Sequence, residues 1–249
     1  MMLKGDLRLA LLHDELTRRG GAEVVFEELA ALFTQADLFT LYAGRPVLRT
    51  GGTLRPVKTS YLQRWPEWMR RHPGRMLPFL AHAAEQFDFS GYDVVISSAS
   101  AFAKAIVTRS TVPHISYCHT PIRYLWDSAL EVAASRPWAL RLPVKWLQHY
   151  LRLVDFTAAQ RVDLFIANSQ YTQARIAKFY RRASEVIYPP IDTEFYNPGI
   201  AKKIGDYFLL VGRLTPTKRF DVAIRVCEKL ELSLVVVGTG PDLPRLKML

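Results

Sequence analysis

Apolar residues run along this chain in two alternating rhythms. Leu7 to Leu12 is a short, nearly continuous apolar run, whereas from Ala22 the apolar positions fall at Val25, Phe26, Leu29, Leu32 and Phe33. The first is the composition of a buried strand, the second the spacing of a helix with one buried face. Ala36 to Tyr42 returns to strand composition, which completes a βαβ unit with a glycine turn at Gly20-Gly21. The rhythm continues with a helix over Met76 to Phe87 and strands over Asp93 to Ser98 and His114 to His119. Pro137 to Arg161 reads as one or two helices carrying Trp138, Trp146, Arg141, Lys145 and Arg152, with Pro143 as a kink or a start. A strand at Leu164 to Ala167 follows, then a helix capped by Asn168 or Ser169 that runs to Tyr180, then Val186 to Tyr188.

Pro189-Pro190 stops this series, and residues 189–205 read as a linker rich in turn formers. Past it the pattern begins afresh. A strand from Tyr207 to Val211 ends at Gly212, a helix is expected from about Lys218 to Leu230, and Leu234 to Val237 is a strand. The expected fold class is therefore α/β: a Rossmann-like N-terminal domain over 1–188, the linker, and over 206–249 the first βαβ portion of a second Rossmann-like domain. That portion is well under the ~100 residues typical of a domain, so the second domain is expected to be incomplete.

Composition narrows the setting. About half of the chain is hydrophobic, enough for a real core. Two cysteines, Cys118 and Cys227, without paired spacing argue against a disulfide framework or a zinc site and fit a reducing compartment. The first twelve residues lack a signal-peptide pattern, and no apolar run reaches membrane-span length. A cytoplasmic protein is expected. The net charge of +10 is uneven: between Arg45 and Arg75, eight lysines and arginines face a single acid, Glu67. Arg64, Trp65, Trp68, Arg70 and Arg71 within this block suit an anionic lipid surface, as would a peripheral protein on the inner face of the cell membrane. A solvated basic face is the alternative. No nucleic-acid-binding pattern accompanies the block, so no nucleic-acid partner is expected.

Three places carry candidate chemistry. Gly20 and Gly21 let backbone approach a ligand closely, but Glu23, Glu27 and Glu28 compete there with a phosphate, so a neutral hydroxyl-bearing substrate fits as readily as an anion. His119 sits at the carboxyl end of its strand, where open α/β sheets hold ligands. It shares a face with Tyr117, while Cys118 points to the other. At Gly212, Arg213 and Lys218, a strand, a glycine turn and a helix start bring two cations to one place, which suits a phosphate.

In this order and at these separations, Gly20-Gly21-Ala22-Glu23, Tyr117-Cys118-His119-Thr120-Pro121, Ala167-Asn168-Ser169, Tyr188-Pro189-Pro190-Ile191-Asp192 and Val211 to Lys218 resemble the retaining family-4 glycosyltransferases of GT-B fold. Arg123-Tyr124 and Trp126-Asp127 after the histidine motif are similar to mannosyltransferase-like members. The resemblance implies two Rossmann-like domains, an N-terminal one for a glycan or lipid-linked acceptor and a C-terminal one for a nucleotide sugar. It implies that Arg213 and Lys218, with Gly212, grip the donor diphosphate without a metal or other cofactor. It also implies that His119 contacts the transferred sugar as the catalytic-site histidine, and that Gly20 and Gly21 form the acceptor or phosphate loop. The family's glutamate pair in the later half of the second domain finds no match before Leu249, so a truncated enzyme is expected. A non-catalytic acceptor- or membrane-binding module, or half of a split enzyme, is the other reading.

Overall fold

The structure, a computed structural model, describes residues 7–70, 73–197, 199 and 205–249. By its own contacts the chain divides into two compact units, Met1–Pro190 and Ile191–Leu249.

The first unit is built on an eight-stranded sheet. Its strands are β1 (Leu9–Leu16), β2 (Asp37–Ala43), β3 (Val47–Thr50), β4 (Thr53–Thr59), β5 (Val94–Ala99), β6 (His114–Cys118), β7 (Leu164–Ala167) and β8 (Ser184–Val186), in the order β3-β4-β2-β1-β5-β6-β7-β8. Every pairing is parallel except β3–β4. Parallel sheets are covered on both faces, and β1 shows how. Ala10 and Leu12 enter a core shared with Phe39, Leu41 and Leu80, while Leu9 and Leu11 enter a second core with Phe26 and Leu38. The helix α1 (Gly21–Leu32) covers one face, and α3 (Pro73–Glu85) and α6 (Trp138–Gln160) contribute to the other. Between them come three short helices, α2 (Glu67–Arg70), α4 (Arg123–Trp126) and α5 (Ala129–Ala134), and α7 (Gln170–Tyr180) lies beyond. The expected helix over 137–161 is a single 23-residue helix that keeps Pro143 inside it.

The basic block resolves into structure that the hydrophobic rhythm did not announce. Val47 to Thr59 forms a hairpin whose two-residue turn, Gly51-Gly52, has φ 54° and 83°. Two left-handed residues in succession match the twist of a tight hairpin and favour glycine at both places. Arg55 of this hairpin donates to the carbonyls of Ala30, Phe33 and Ala36 at the end of α1, and so serves as a helix cap.

The second unit pairs β9 (Phe208–Val211) with β10 (Leu234–Val237) in parallel and packs α8 (Phe220–Lys229) and α9 (Leu243–Leu246) around Leu214. Here one expectation is corrected. Lys218 does not open the α-helix: Pro216–Lys218 is a single 3-10 turn, Arg219 adopts a left-handed conformation at φ 52°, and α8 begins only at Phe220. The break re-aims the chain so that Phe220 is buried against Gly212. Gly240 is required by close packing, because a Cβ there would meet the Leu214 carbonyl oxygen at 2.1 Å.

Candidate functional site

The carboxyl ends of β1, β5 and β6 bring together three side chains far apart in sequence. His13 is fully buried, and its Nδ1 lies 3.0 Å from Ser98 Oγ; the same oxygen is 2.8 Å from His119 Nε2. Glu23, from the first turn of α1, places Oε1 3.9 Å from His13 Nε2. Its other oxygen accepts the Gly20 N–H at 2.9 Å. Phe26 stacks on the His13 ring with centroids 5.0 Å apart, and Tyr117 meets the His119 ring edge-on at 5.2 Å.

These distances order the protons. Burial alone would raise the Glu23 carboxyl, but His13 and the backbone amides of Glu23 and Gly20 outweigh it and hold the group below the usual carboxylate range. An ionised carboxylate beside Nε2 favours a proton on that nitrogen, which leaves Nδ1 of His13 to accept from the Ser98 hydroxyl. The Ser98 oxygen then accepts from Nε2–H of His119. Burial, with His13 as the second cause, lowers His119 to about 4, so the ring is neutral near pH 7. Its Nδ1 is left as a free acceptor, a lone pair suited to a hydroxyl rather than to a phosphate. The backbone of His119 is held as firmly: its N–H donates to Ala99, and its carbonyl accepts from Asn168 and Thr172. Arg175 ties the following turn through Thr120, Pro121 and Asp127. Cys118 is sealed in the core on the other side, its thiol pushed up to about 12 by burial, which removes it as a nucleophile.

Asp14, next to His13, is a loop fastener. Its carboxylate accepts the backbone N–H groups of Ser100, Ala101 and Ala103 and so shapes the segment after β5. At this edge opens a cavity of about 400 Å³ lined by Asp14, Glu15, Arg18, Tyr42, Ser100 and Arg136 on its polar side and by Leu77, Leu80, Tyr124 and Val132 on its apolar side. Burial raises the Glu15 carboxyl, and the Tyr42 hydroxyl donates to it. A hollow of about 490 Å³ near Arg8, Thr34 and Asp37 lies at the opposite, amino-terminal edge of the strands. Ligands of open α/β sheets sit at the carboxyl edge, so the smaller cavity is the candidate.

A family description, Glycosyltransferase Family 4, matches residues 19–195, well over half of the chain and all of the elements that carry this site except β1. The chain belongs to Glycosyltransferase Family 4. No curated protein sequence matches it. Among solved structures it is similar to Anabaena Alr3699/HepE, solved in complex with UDP and glucose, with a TM-score of 0.56 at 17% identity over 96% of this chain and 64% of that one. It is similar also to the sucrose-phosphate synthase (tll1590) from Thermosynechococcus elongatus, with a TM-score of 0.56 at 14% identity over 93% of this chain and 62% of that one. These likenesses show the fold, Rossmann-like α/β units of the GT-B kind; this family member spans less than two thirds of either relative's length.

The family member's remaining candidate residues fall as follows. Gly20 is the residue before α1, where the absent Cβ leaves room for the Glu23 carboxylate 2.8 Å away; Gly21 faces open space. In the second unit, Gly212 ends β9 and Arg213 and Lys218 are exposed. Neither cation makes a side-chain hydrogen bond or ion pair among the described residues, whereas Arg219 and Arg245 are engaged by Asp221 and Asp242. In the basic block, Trp65 packs beside Phe79 and Tyr61 against the core, and Arg70 donates to the carbonyls of Ala43 and Trp65. Arg64 is exposed, Trp68 is exposed with Arg75 over its ring, and Arg71 lies outside the described residues. Among the described residues no three His, Cys, Asp or Glu side chains converge as a metal-binding group, and no helix is long and apolar enough to cross a membrane.

His13, Ser98 and Asp14 were not among the residues singled out by the sequence. The signal for them was present in the polar triplet His13-Asp14-Glu15 and the pair Ser97-Ser98, each breaking an apolar run at a strand's carboxyl end.

Proposed function

We propose that this protein transfers a sugar, mannose in the first instance, from a nucleotide-diphosphate donor to a glycan or lipid-linked acceptor, with retention at the anomeric carbon. The observation that carries this reading is the neutral His119, held by Ser98 and His13 at the same carboxyl edge of the sheet as the amphipathic cavity, whose wall it does not line. A neutral imidazole with a free Nδ1 accepts from a sugar hydroxyl and carries no charge to compete with a leaving diphosphate. Arg213 and Lys218, uncommitted within their unit, suit that diphosphate, which gains charge as the glycosidic bond breaks. Two fixed cations provide this stabilisation without a metal. The cavity, with Arg18 and Arg136 beside Leu77 and Val132, suits an acceptor that has both polar and apolar parts. The UDP and glucose bound to the Anabaena relative support a nucleotide-sugar donor, and the histidine motif's likeness to mannosyltransferases favours mannose.

Calorimetric titration with GDP, UDP and their sugar conjugates tests the assignment. One diphosphate nucleotide is expected to bind more tightly than its monophosphate, and Arg213→Ala and Lys218→Ala are each expected to weaken it about ten-fold, the worth of a charge-assisted hydrogen bond. Unchanged affinity in both variants would overturn the diphosphate grip. A second reading, an acceptor-binding module without transfer, is favoured by the cavity lying entirely within residues 14–136. It predicts acceptor binding with no transfer from any nucleotide sugar.

A further inference from the structure

The helix α6 is built inside out. Its buried face carries Gln148 and Asp155 along with Leu151, whereas its outward face carries Trp138, Leu142, Trp146, Leu153 and Phe156. Trp138 is 84% and Trp146 66% exposed. Residues three, four and seven apart share one side of a helix, so these side chains form one stripe along a rod of about 34 Å. The polar groups inside are satisfied. Gln148 donates to the carbonyls of Tyr124 and Ala129, and Asp155 meets Lys104, Trp126 and Tyr180. The buried face therefore needs its polar residues, but nothing within the unit accounts for the apolar outer stripe, which monomeric proteins rarely leave in water.

We propose that this face of α6 docks the protein on an anionic membrane surface. The charge on the helix selects that occupant. Its exposed charged residues, Arg141 and Lys145, are basic, Arg152 is basic and half-buried, and its one acid, Asp155, is sealed inside. A second copy of the same helix would set these cations against their equivalents across the seam, whereas anionic headgroups neutralise them. Tryptophan and tyrosine are the side chains that settle at headgroup level, and Trp138, Trp146 and Tyr150 all lie exposed on α6. The neighbouring α5 extends the surface with exposed Leu130, and its Val132 lines the cavity. The docking face is thus one helix away from the cavity wall. Docking requires no sugar chemistry, so vesicle binding tests it independently of the proposed transfer.

The test is co-sedimentation of the full chain with sucrose-loaded vesicles, of phosphatidylcholine alone or with a third of phosphatidylglycerol. Binding is expected only to the anionic vesicles, and weaker in high salt. Trp138→Ser combined with Trp146→Ser is expected to reduce binding at least ten-fold at unchanged melting temperature, and Lys145→Glu to reduce it roughly five-fold, the worth of one cation near the surface. Arg64→Glu, in the basic block, is expected to change binding less than two-fold. No binding to anionic vesicles would overturn the proposal. So would full binding by the double tryptophan variant with loss in Arg64→Glu, or light scattering that shows a dimer dissolved by Trp146→Ser.

Discussion

Removing the buried cation Lys104 tests how the floor of the site is held. Lys104 follows β5, is 2% exposed, and places Nζ 2.5 Å from Oδ1 of Asp155, which is wholly buried on α6. Asp155 also accepts from Trp126 Nε1 at 2.7 Å and from the Tyr180 hydroxyl at 3.0 Å, so this carboxylate joins α4, α6 and α7 beneath β6. Lys104→Met conserves volume but leaves the carboxylate buried with no countercharge. Breaking one side of such a pair costs about 3–5 kcal/mol. For a unit of this size that lowers the melting temperature by roughly 6–20 °C. Adding Asp155→Asn removes the orphaned charge while its amide oxygen still accepts from Trp126 and Tyr180. The double variant is therefore expected to regain about 2 kcal/mol over Lys104→Met. Urea unfolding followed by circular dichroism measures both. A loss below about 1 kcal/mol for Lys104→Met, or simple additivity of the two substitutions, would refute the view that charge pairing holds these helices together.

Acid should weaken the first unit before carboxylates titrate. Burial lowers His114 to about 3 and His119 to about 4, both below the ordinary 6.5. The unfolded chain then binds more protons between these values, so stability is complete above about pH 6.5 and falls as pH drops toward 4. His119 alone contributes on the order of 3 kcal/mol, and Glu15, raised by burial, offsets part of it. A flat unfolding midpoint from pH 6.5 to 5 would contradict this. Ser98→Ala removes the acceptor of the His119 Nε2–H but neither the burial nor the neighbouring His13 that lower the ring. NMR titration should still find the ring well below 6.5 while the Nε2–H signal loses its hydrogen-bond shift; an unmoved Nε2–H signal would deny the serine its bridging place. Gly240→Ala should unfold the second unit while sparing the first, because its Cβ would meet the Leu214 carbonyl; limited proteolysis that cuts neither unit would show that the loop can yield.

Much of the first unit could be read from local pattern. A continuous apolar run means a strand buried on both faces, and a 3.6-residue spacing means a helix on that sheet; both depend on neighbours in sequence. The Val47–Thr59 hairpin escaped because its apolar residues are short and interrupted by Arg49, Arg55 and Lys58, which read as a charge run. The helix expected at Lys218 was shortened by a left-handed Arg219, a conformation without a residue signature when glycine is absent.

Counting cations in the sequence located a basic block but not which cations were available. Arg55, Arg70, Arg161 and Arg182 are spent on backbone carbonyls, while Arg213 and Lys218 are not engaged by their own unit. The sequence by itself determined the alternating architecture, the glycines, the strand-end His119 and the motifs of Glycosyltransferase Family 4, since each is written in contiguous residues. Only the tertiary structure decided that His13 and Ser98, 85 positions apart, aim His119, and that the apolar face of α6 points outward. Both depend on which strand ends meet and which helix face finds a partner, and that is settled by packing between residues distant in the chain.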